Sequence, residues 1–66
     1  MEQFKITLAA ARVNAGMTQD DVTKALNVSK TTIVNWESGK TIPATDKALA
    51  LAELYRIPLE LISFKK

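Results

Sequence analysis

A three-residue link, Asn27-Val28-Ser29, between two short helical segments constrains the fold of this chain more than any other feature. Asn is the non-glycine residue that best tolerates a positive φ, so Asn27 can make the turn. An ordinary helical hairpin uses a longer connection to become antiparallel. A link this short, with Val28 packed into the angle, predicts two nearly perpendicular helices, the second of which projects from the surface.

The helix before the link has a well-marked beginning at Thr18. Thr18 is a predicted N-cap, and Asp21 three residues later completes an approximate capping box. Asp20 and Asp21 also lie where the helix dipole favours negative charge. The predicted helix ends at about Leu26 or Asn27, and its buried residues are Val22, Ala25 and Leu26.

The helix after the link is predicted from Lys30 to about Glu37. Ser29 is its N-cap, and Gly39 closes it. Ile33 and Trp36 form its inward face. Stacking of Trp36 on bases, as in single-strand binders, is the alternative, and the spacing of three residues from Ile33 favours the core.

Three further helices complete the predicted fold. The apolar residues of the first are Phe4, Leu8, Ala11 and Ala15, and Gly16 ends it. The fourth is capped by Thr45 or Asp46 and has the inward face Ala48, Leu49, Ala52 and Tyr55. Pro58 begins a short fifth helix that carries Leu59, Leu61 and Ile62. No segment indicates a strand, so we expect an all-α, five-helix single domain over residues 1–66, with a helix-turn-helix motif over about 18–38 at helices 2 and 3.

Composition excludes several classes of protein. At 66 residues the chain has room for one domain, and its hydrophobic fraction of 47% can supply the core. The absence of Cys and His excludes a disulfide scaffold and leaves only carboxylates as metal ligands, so we expect no metal and no cofactor. The sequence has neither a membrane-spanning stretch nor a signal peptide, which predicts a cytoplasmic protein without membrane contact. The net charge of +2 does not by itself indicate DNA binding.

The run TTIVNWESGK, at its spacing from GMTQ, is the most specific motif in the chain. Through this run and its flanking residues, the span from Leu8 to Ile62 resembles the phage repressor/Cro (XRE) family. The matching residues are Arg12, Gly16, Met17, Thr18, Gln19, Val22, Leu26, Val28, Ser29, Thr32, Ile33, Trp36, Glu37, Ser38, Gly39, Lys40 and Pro43, with a weaker match through Leu51, Ala52, Ile57, Pro58, Leu59 and Glu60. Thr23, Asn27 and Ala44 depart from the family pattern without threatening the fold. The resemblance implies a lambda-repressor-like fold whose second motif helix, about 30–37, is the recognition helix and lies in the major groove of duplex DNA.

The outward face of the recognition helix carries side chains suited to reading base edges. They are Lys30, Thr31, Val34 and Asn35, with Thr32 at the flank. Asn35 can bridge N6 and N7 of adenine, and Lys30 can donate to O6 and N7 of guanine. Two roles for Val34 are equally supported by the sequence: contact with a thymine methyl, and partial burial in the protein. A merely solvated polar face is the alternative to base reading for the set.

The residues next to the recognition helix are expected to contact DNA phosphates. They are Thr18 and Gln19 at the start of the second helix, and Ser38, Lys40 and Thr41 after the third. The N-terminus of the second helix also offers its backbone N–H groups to a phosphate. Solvation of these polar residues is the alternative, and the family resemblance favours the phosphate contacts.

Two further groups have other expected roles. The resemblance implies an ion pair between Arg12 and Glu37 that ties the first helix to the end of the third, and a DNA contact by Arg12 or a catalytic role for Glu37 is the alternative. Apolar residues at the C-terminal end are denser than one short helix can turn inward, so a dimer contact is predicted within 56–64. Its residues are Ile57, Leu59, Leu61 and Phe64, and a lid on the core is the alternative.

We therefore expect a sequence-specific DNA-binding regulator, a repressor that acts as a homodimer on a palindromic operator in the nucleoid of a bacterial or phage-infected cell. Its partners are double-stranded DNA and a second copy of the chain, with no small-molecule ligand. The brevity of the chain predicts a prophage, plasmid or restriction-control regulator that responds only to its own concentration. The first alternative is an interaction module that binds a protein such as a toxin or a polymerase subunit. An enzyme is the weakest hypothesis, because the chain has no His or Cys and its carboxylates are scattered or assigned to caps and pairs.

Overall fold

The structure, a computed structural model, describes residues 4–64, so both ends of the predicted domain, 1–3 and 65–66, lie outside the described residues. Its helices are α1 (Leu8–Asn14), α2 (Gln19–Leu26), α3 (Lys30–Ser38) and α4 (Thr45–Tyr55), followed by a 3-10 turn at Leu59–Leu61. Two short strands, β1 (Ile6–Thr7) and β2 (Ile62–Ser63), flank this helical part. A membrane crossing would need a longer and more apolar helix than any found within residues 4–64.

Local hydrogen bonds explain where α2 begins and ends. The Asp21 N–H donates to Thr18 Oγ1 at 3.0 Å, and the Thr18 N–H donates to Asp21 Oδ2 at 2.9 Å, which confirms the predicted capping box. The backbone hydrogen bond from Thr18 holds the pKa of the Asp21 carboxyl below its ordinary value. Asn27 ends the helix with a φ of 57°, so the predicted left-handed turn is confirmed.

The predicted ends of α3 are also confirmed. Ser29 Oγ accepts the Thr32 N–H at 3.1 Å, and Gly39 terminates the helix with a φ of 80°. The connection between α2 and α3 therefore consists of residues 27–29, as the sequence predicts.

The prediction that Phe4 belongs to the first helix is wrong. Thr7 caps α1, because its Oγ1 accepts the Ala10 N–H at 3.1 Å while its backbone is extended. Phe4 precedes this cap and is 96% exposed. Three other residues that were predicted to face inward are exposed in the structure: Ala15, Ala25 and Leu49. Ala15 follows the last residue of α1, and an exposed alanine costs a helix such as α2 little.

The start of α4 differs from the prediction as well. Ala44 is its N-cap and has no side-chain hydrogen bond, so the prediction of a cap at Thr45 or Asp46 is wrong. Both residues lie within the first turn, where the carboxylate of Asp46 is favourable to the helix dipole. The helix ends at Arg56, a non-glycine residue with a φ of 58°.

The predicted fifth helix is reduced to the 3-10 turn, and the expectation of no strand is wrong. After Leu61 the chain extends, and β2 pairs in parallel with β1, with Ile6 opposite Ile62 and Thr7 opposite Ser63. Ile62 is buried, and β-branched residues such as Ile6 and Ile62 suit extended backbone. The described residues are thus mostly helical, rather than all-α with five helices.

The core packs all four helices together and holds α3 in place. Its buried residues are Leu8, Ala11, Val22, Ile33, Trp36, Leu51, Ala52, Tyr55 and Ile62. Val22 of α2 and Ile33 and Trp36 of α3 are among them, so the two helices of the motif share one core. Trp36 is 7% exposed, which confirms its predicted core position.

Candidate nucleic-acid interface

The predicted base-reading residues lie on the side of α3 opposite its buried stripe. Lys30, Thr31 and Val34 are exposed, and Thr32 and Asn35 are half-buried. Spacings of three and four residues place Lys30, Thr31, Val34 and Asn35 on one helical face. We call these four residues the outward face of α3.

The hydrogen-bonding capacity of the α3 side chains differs from residue to residue. Within residues 4–64, the side chains of Thr31 and Asn35 have no hydrogen-bond partner, so both are available to a ligand. The Thr32 hydroxyl instead lies 2.9 Å from Ser29 Oγ, inside the cap of its own helix. Val34 is 42% exposed, which favours a contact role over burial.

Lys30 has a partner that the sequence did not reveal. Its Nζ lies 3.5 Å from Oδ1 of Asp20, in the first turn of α2. Ten residues separate the two in sequence, and the pair forms because the turn brings the N-terminal ends of α2 and α3 together. No local spacing rule could have identified this contact.

The five residues predicted to contact phosphates are not equally available. Thr18 Oγ1 accepts a bond in the capping box but keeps its own proton to donate. Ser38 Oγ donates its single proton to Asn35 O at 3.1 Å, which leaves it none for a phosphate. Lys40 and Thr41 are exposed and have free side chains within the described part of the chain, although their backbone N–H groups donate to Asn35 O.

Gln19 is engaged with the protein rather than simply solvated. Its Nε2 donates to Glu37 Oε1 at 3.0 Å, and the side chain is half-buried. An amide carries two N–H donors, so one remains for a second acceptor.

Arg12 and Glu37 form the ion pair that the family resemblance implies. Arg12 Nε donates to Glu37 Oε2 at 2.7 Å and Nη2 donates to Oε1 at 3.4 Å, while Nη1 donates to Met17 O at 3.0 Å. The side chains are only 16% and 10% exposed. The hydrogen bond to Glu37 raises the pKa of the guanidinium further above its ordinary value. The pair ties α1 and the start of the motif to the last turn of α3.

Tyr55 of α4 lies against the same network. Burial raises the pKa of its phenol to about 12, and the negative charge of Glu37 acts in the same direction. Glu37 lines a tight apolar recess together with Ile33, Trp36 and Tyr55, so its charge is turned away from the outward face of α3.

The residues of the predicted dimer contact are only partly brought together. Ile57 and Leu59 line a surface groove of about 390 Å³ at the end of α4. Its other lining residues are Leu49, Ala52, Glu53, Arg56 and Pro58. Leu61 and Phe64 are half-buried and lie outside this groove, and Phe64 packs against the core. Leu49 was missed because it was assigned to the core, but the buried stripe Ala48, Leu51, Ala52 and Tyr55 excludes it.

Carboxylates in residues 4–64 are too dispersed to hold a metal, since no group of three or more comes together there. The arrangement instead offers hydrogen-bond donors, one amide and one small apolar side chain on a single helical face.

Comparison with known proteins identifies one family. A family model described as helix-turn-helix matches residues 8–62, which include all four α-helices, the 3-10 turn and Ile62 of β2. No curated protein and no solved structure matches the chain significantly.

Proposed function

This chain belongs to the Cro/XRE-type helix-turn-helix family, a family of DNA-binding transcriptional regulators, and we propose that it is a sequence-specific repressor that binds a palindromic operator as a homodimer. The outward face of α3 is the observation that carries the proposal. It combines one cation, one free hydroxyl, one free amide and one exposed valine on a helix anchored from behind by Ile33 and Trp36.

In the proposed complex, α3 lies in the major groove and reads base edges. The free amide of Asn35 matches N6 and N7 of adenine, and the ammonium of Lys30 matches O6 and N7 of guanine. Val34 contacts a thymine methyl, and Thr31 donates or accepts through its hydroxyl. Thr32 supports the set from the first turn of α3, since its hydroxyl lies 2.9 Å from Oγ of the N-cap Ser29.

Phosphate contacts set the register of α3 in the groove. Lys40 and Thr41 supply them on one side, because their side chains are exposed and free in the described structure. Thr18 and Gln19 supply them on the other side through their remaining protons and through the N-terminal end of α2. Ser38 contributes least, because its proton is used within α3.

The homodimer forms through the groove beside Ile57 and Leu59 and its exposed neighbour Leu49. Glu53 and Arg56 line the same groove with opposite charges, and neither forms an ion pair within residues 4–64. A two-fold axis through such a patch brings the glutamate of one copy to the arginine of the other, because a two-fold interface is self-complementary. The two α3 helices then read half-sites about 34–36 Å apart.

Repression follows if the bound dimer covers sequence that the transcription machinery needs, in the cytoplasm where the nucleoid lies. No covalent step and no cofactor is required.

Titration with a random duplex at low and moderate salt tests the proposal. Neutralisation of phosphates releases counterions, so affinity must fall as salt rises. Selection from a randomised duplex library then reports the operator and its symmetry. Absence of salt-dependent binding at low salt would contradict the proposal and favour the alternative of a protein-interaction module, and an asymmetric single half-site would contradict the dimer.

A further inference from the structure

The ion pair between Asp20 and Lys30 lies at the edge of the proposed DNA-reading surface. Lys30 is the first residue of α3, and Asp20 is the second residue of α2. Their side chains are 59% and 68% exposed, with 3.5 Å between Nζ and Oδ1. The helix dipole favours a carboxylate in the first turn of α2, but at the edge of this surface the same charge repels an approaching polyanion.

The Asp20 carboxylate has no role in the cap of its helix. Asp21 occupies the capping box with Thr18, and only the backbone oxygen of Asp20 is used locally, where it accepts the Thr23 hydroxyl at 2.6 Å. Within residues 4–64, Lys30 is the one partner of the Asp20 side chain. An exposed pair of this kind contributes little to folding stability.

We propose that Asp20 is a specificity-determining residue that positions Lys30 for a guanine and weakens binding to non-operator DNA. This inference rests on the proposed function. Asp20 acts through Lys30, without itself being a principal base contact.

The chemistry of the ammonium group explains the selectivity. An unpaired lysine on a flexible stem binds any phosphate, so it raises affinity for every duplex equally. A phosphate that approaches Lys30 must either displace the Asp20 carboxylate or tolerate a second negative charge beside it. Guanine O6 and N7 are uncharged acceptors, and an ammonium has three N–H donors. Lys30 can therefore donate to guanine while it remains paired with Asp20.

The test compares Asp20→Asn, Lys30→Met and the double variant with the wild-type chain. Affinities are measured across a salt series for a random duplex and for the site that the wild-type chain selects from a random library. We expect Asp20→Asn to bind the random duplex about threefold to tenfold more tightly at about 100 mM salt, with a salt slope steeper by about 0.9, the value for one added phosphate contact. Affinity for the selected site rises less. The specificity ratio, which is the affinity for the selected site divided by the affinity for the random duplex, therefore falls.

Two comparisons separate this effect from general charge. Asp46→Asn makes the same charge change at an exposed residue in the first turn of α4 and should leave the ratio unchanged. In the Lys30→Met background, Asp20→Asn should no longer change the ratio. Sites selected by the Asp20→Asn variant should also lose their guanine preference at one position in each half-site.

Equal tightening on both duplexes, or a change of ratio that persists without Lys30, would overturn the inference alone. Absence of salt-dependent binding by the wild-type chain would instead contradict the proposed function, and this inference with it. Both side chains are exposed, so all three variants should fold, and thermal unfolding checks that they do.

Discussion

Gln19 donates its side-chain amide to Glu37 Oε1 at 3.0 Å and so connects the first residue of α2 to the last turn of α3. Arg12 binds both oxygens of the same carboxylate from α1. Glu37 therefore receives hydrogen bonds from two other helices, and its position fixes the C-terminal end of α3. The network thus joins the C-terminal end of α3 to α1 and to the start of α2.

The Arg12–Glu37 pair can be tested by a double-mutant cycle. Arg12→Met should lower the free energy of unfolding by about 1.5–3 kcal/mol, because it removes charge-assisted hydrogen bonds from a half-buried carboxylate that keeps only the Gln19 amide as donor. A domain of this length has a free energy of unfolding of roughly 3–10 kcal/mol, so the loss is a large fraction of the whole. Arg12→Met/Glu37→Met removes both charges and should recover much of the loss. Urea denaturation followed by Trp36 fluorescence measures Arg12→Met, Glu37→Met and the double variant, and a double variant as unstable as the sum of the two singles would contradict the coupling.

Asn35→Ala tests base reading. We expect a loss of about 1–3 kcal/mol in binding to the selected operator and almost none in binding to a random duplex, because the free amide of Asn35 is proposed to contact bases only. Asn14→Ala at the exposed end of α1 is the matched control and should change neither affinity. A similar loss on both duplexes would assign Asn35 to the phosphate backbone.

Lys40→Ala tests phosphate binding. Its side chain is exposed just beyond α3 and has no partner in the described structure, so it should weaken binding to the operator and to the random duplex about equally. The salt slope should flatten by about 0.9, the value for one lost phosphate contact. Lys24→Ala removes an exposed charge from the last turn of α2 as the control. An unchanged slope in the Lys40 variant would exclude the phosphate role.

The parts of the fold that depend on neighbouring residues could be predicted from the sequence. The capping box at Thr18, the turn at Asn27, the cap at Ser29 and the end at Gly39 each involve residues within three or four positions. Their backbone geometry is set by local hydrogen bonds and by tolerance of positive φ. The motif was therefore located correctly, although Ala25 of α2 was predicted to be buried and is exposed.

Features that depend on distant residues could not be predicted in this way. The pairing of Ile6 with Ile62 joins two-residue strands, too short to show an alternating pattern, so the C-terminal end was read as a helix. The Gln19–Glu37 and Asp20–Lys30 contacts need the final angle between helices. Leu49 was misplaced because it is one position away from the buried stripe of α4, and a helical period of 3.6 leaves such border positions undecided.

Tyr55 should make stability depend on pH in the alkaline range. Its folded-state pKa is raised to about 12 by burial, whereas an exposed phenol titrates near 10. The unfolded state therefore loses this proton first as the pH rises. The contribution of the protonated Tyr55 phenol to the free energy of unfolding is complete below about pH 10 and is lost progressively towards about pH 12.

A phenylalanine at position 55 cannot ionise. The free energy of unfolding of Tyr55→Phe should therefore fall less than that of the wild-type chain between about pH 9 and 12. Every other side chain is the same in both proteins, so the difference between their pH profiles isolates the phenol. Parallel pH profiles would show that the phenol ionises as easily in the folded state as in the unfolded chain.

Leu49→Glu tests the proposed dimer contact without touching the core. Leu49 is 49% exposed and lines the groove with Ile57 and Leu59, so a carboxylate there should leave folding intact and place two charges near the two-fold axis. We expect the dimer dissociation constant from sedimentation equilibrium to rise at least about tenfold, equivalent to 1.4 kcal/mol. Binding to a full operator should weaken, and binding to a single half-site should not.

Val13→Glu provides the matched control, because Val13 is 65% exposed on α1 and outside the groove. It makes the same change in charge and should leave both association and operator binding unaltered. If both variants weaken association equally, general repulsion rather than the groove controls it. The wild-type chain could instead bind as a monomer and fill the two half-sites of an operator independently. That result would show that the groove is not a dimer contact, and the exposed apolar surface at Leu49 would then need another partner.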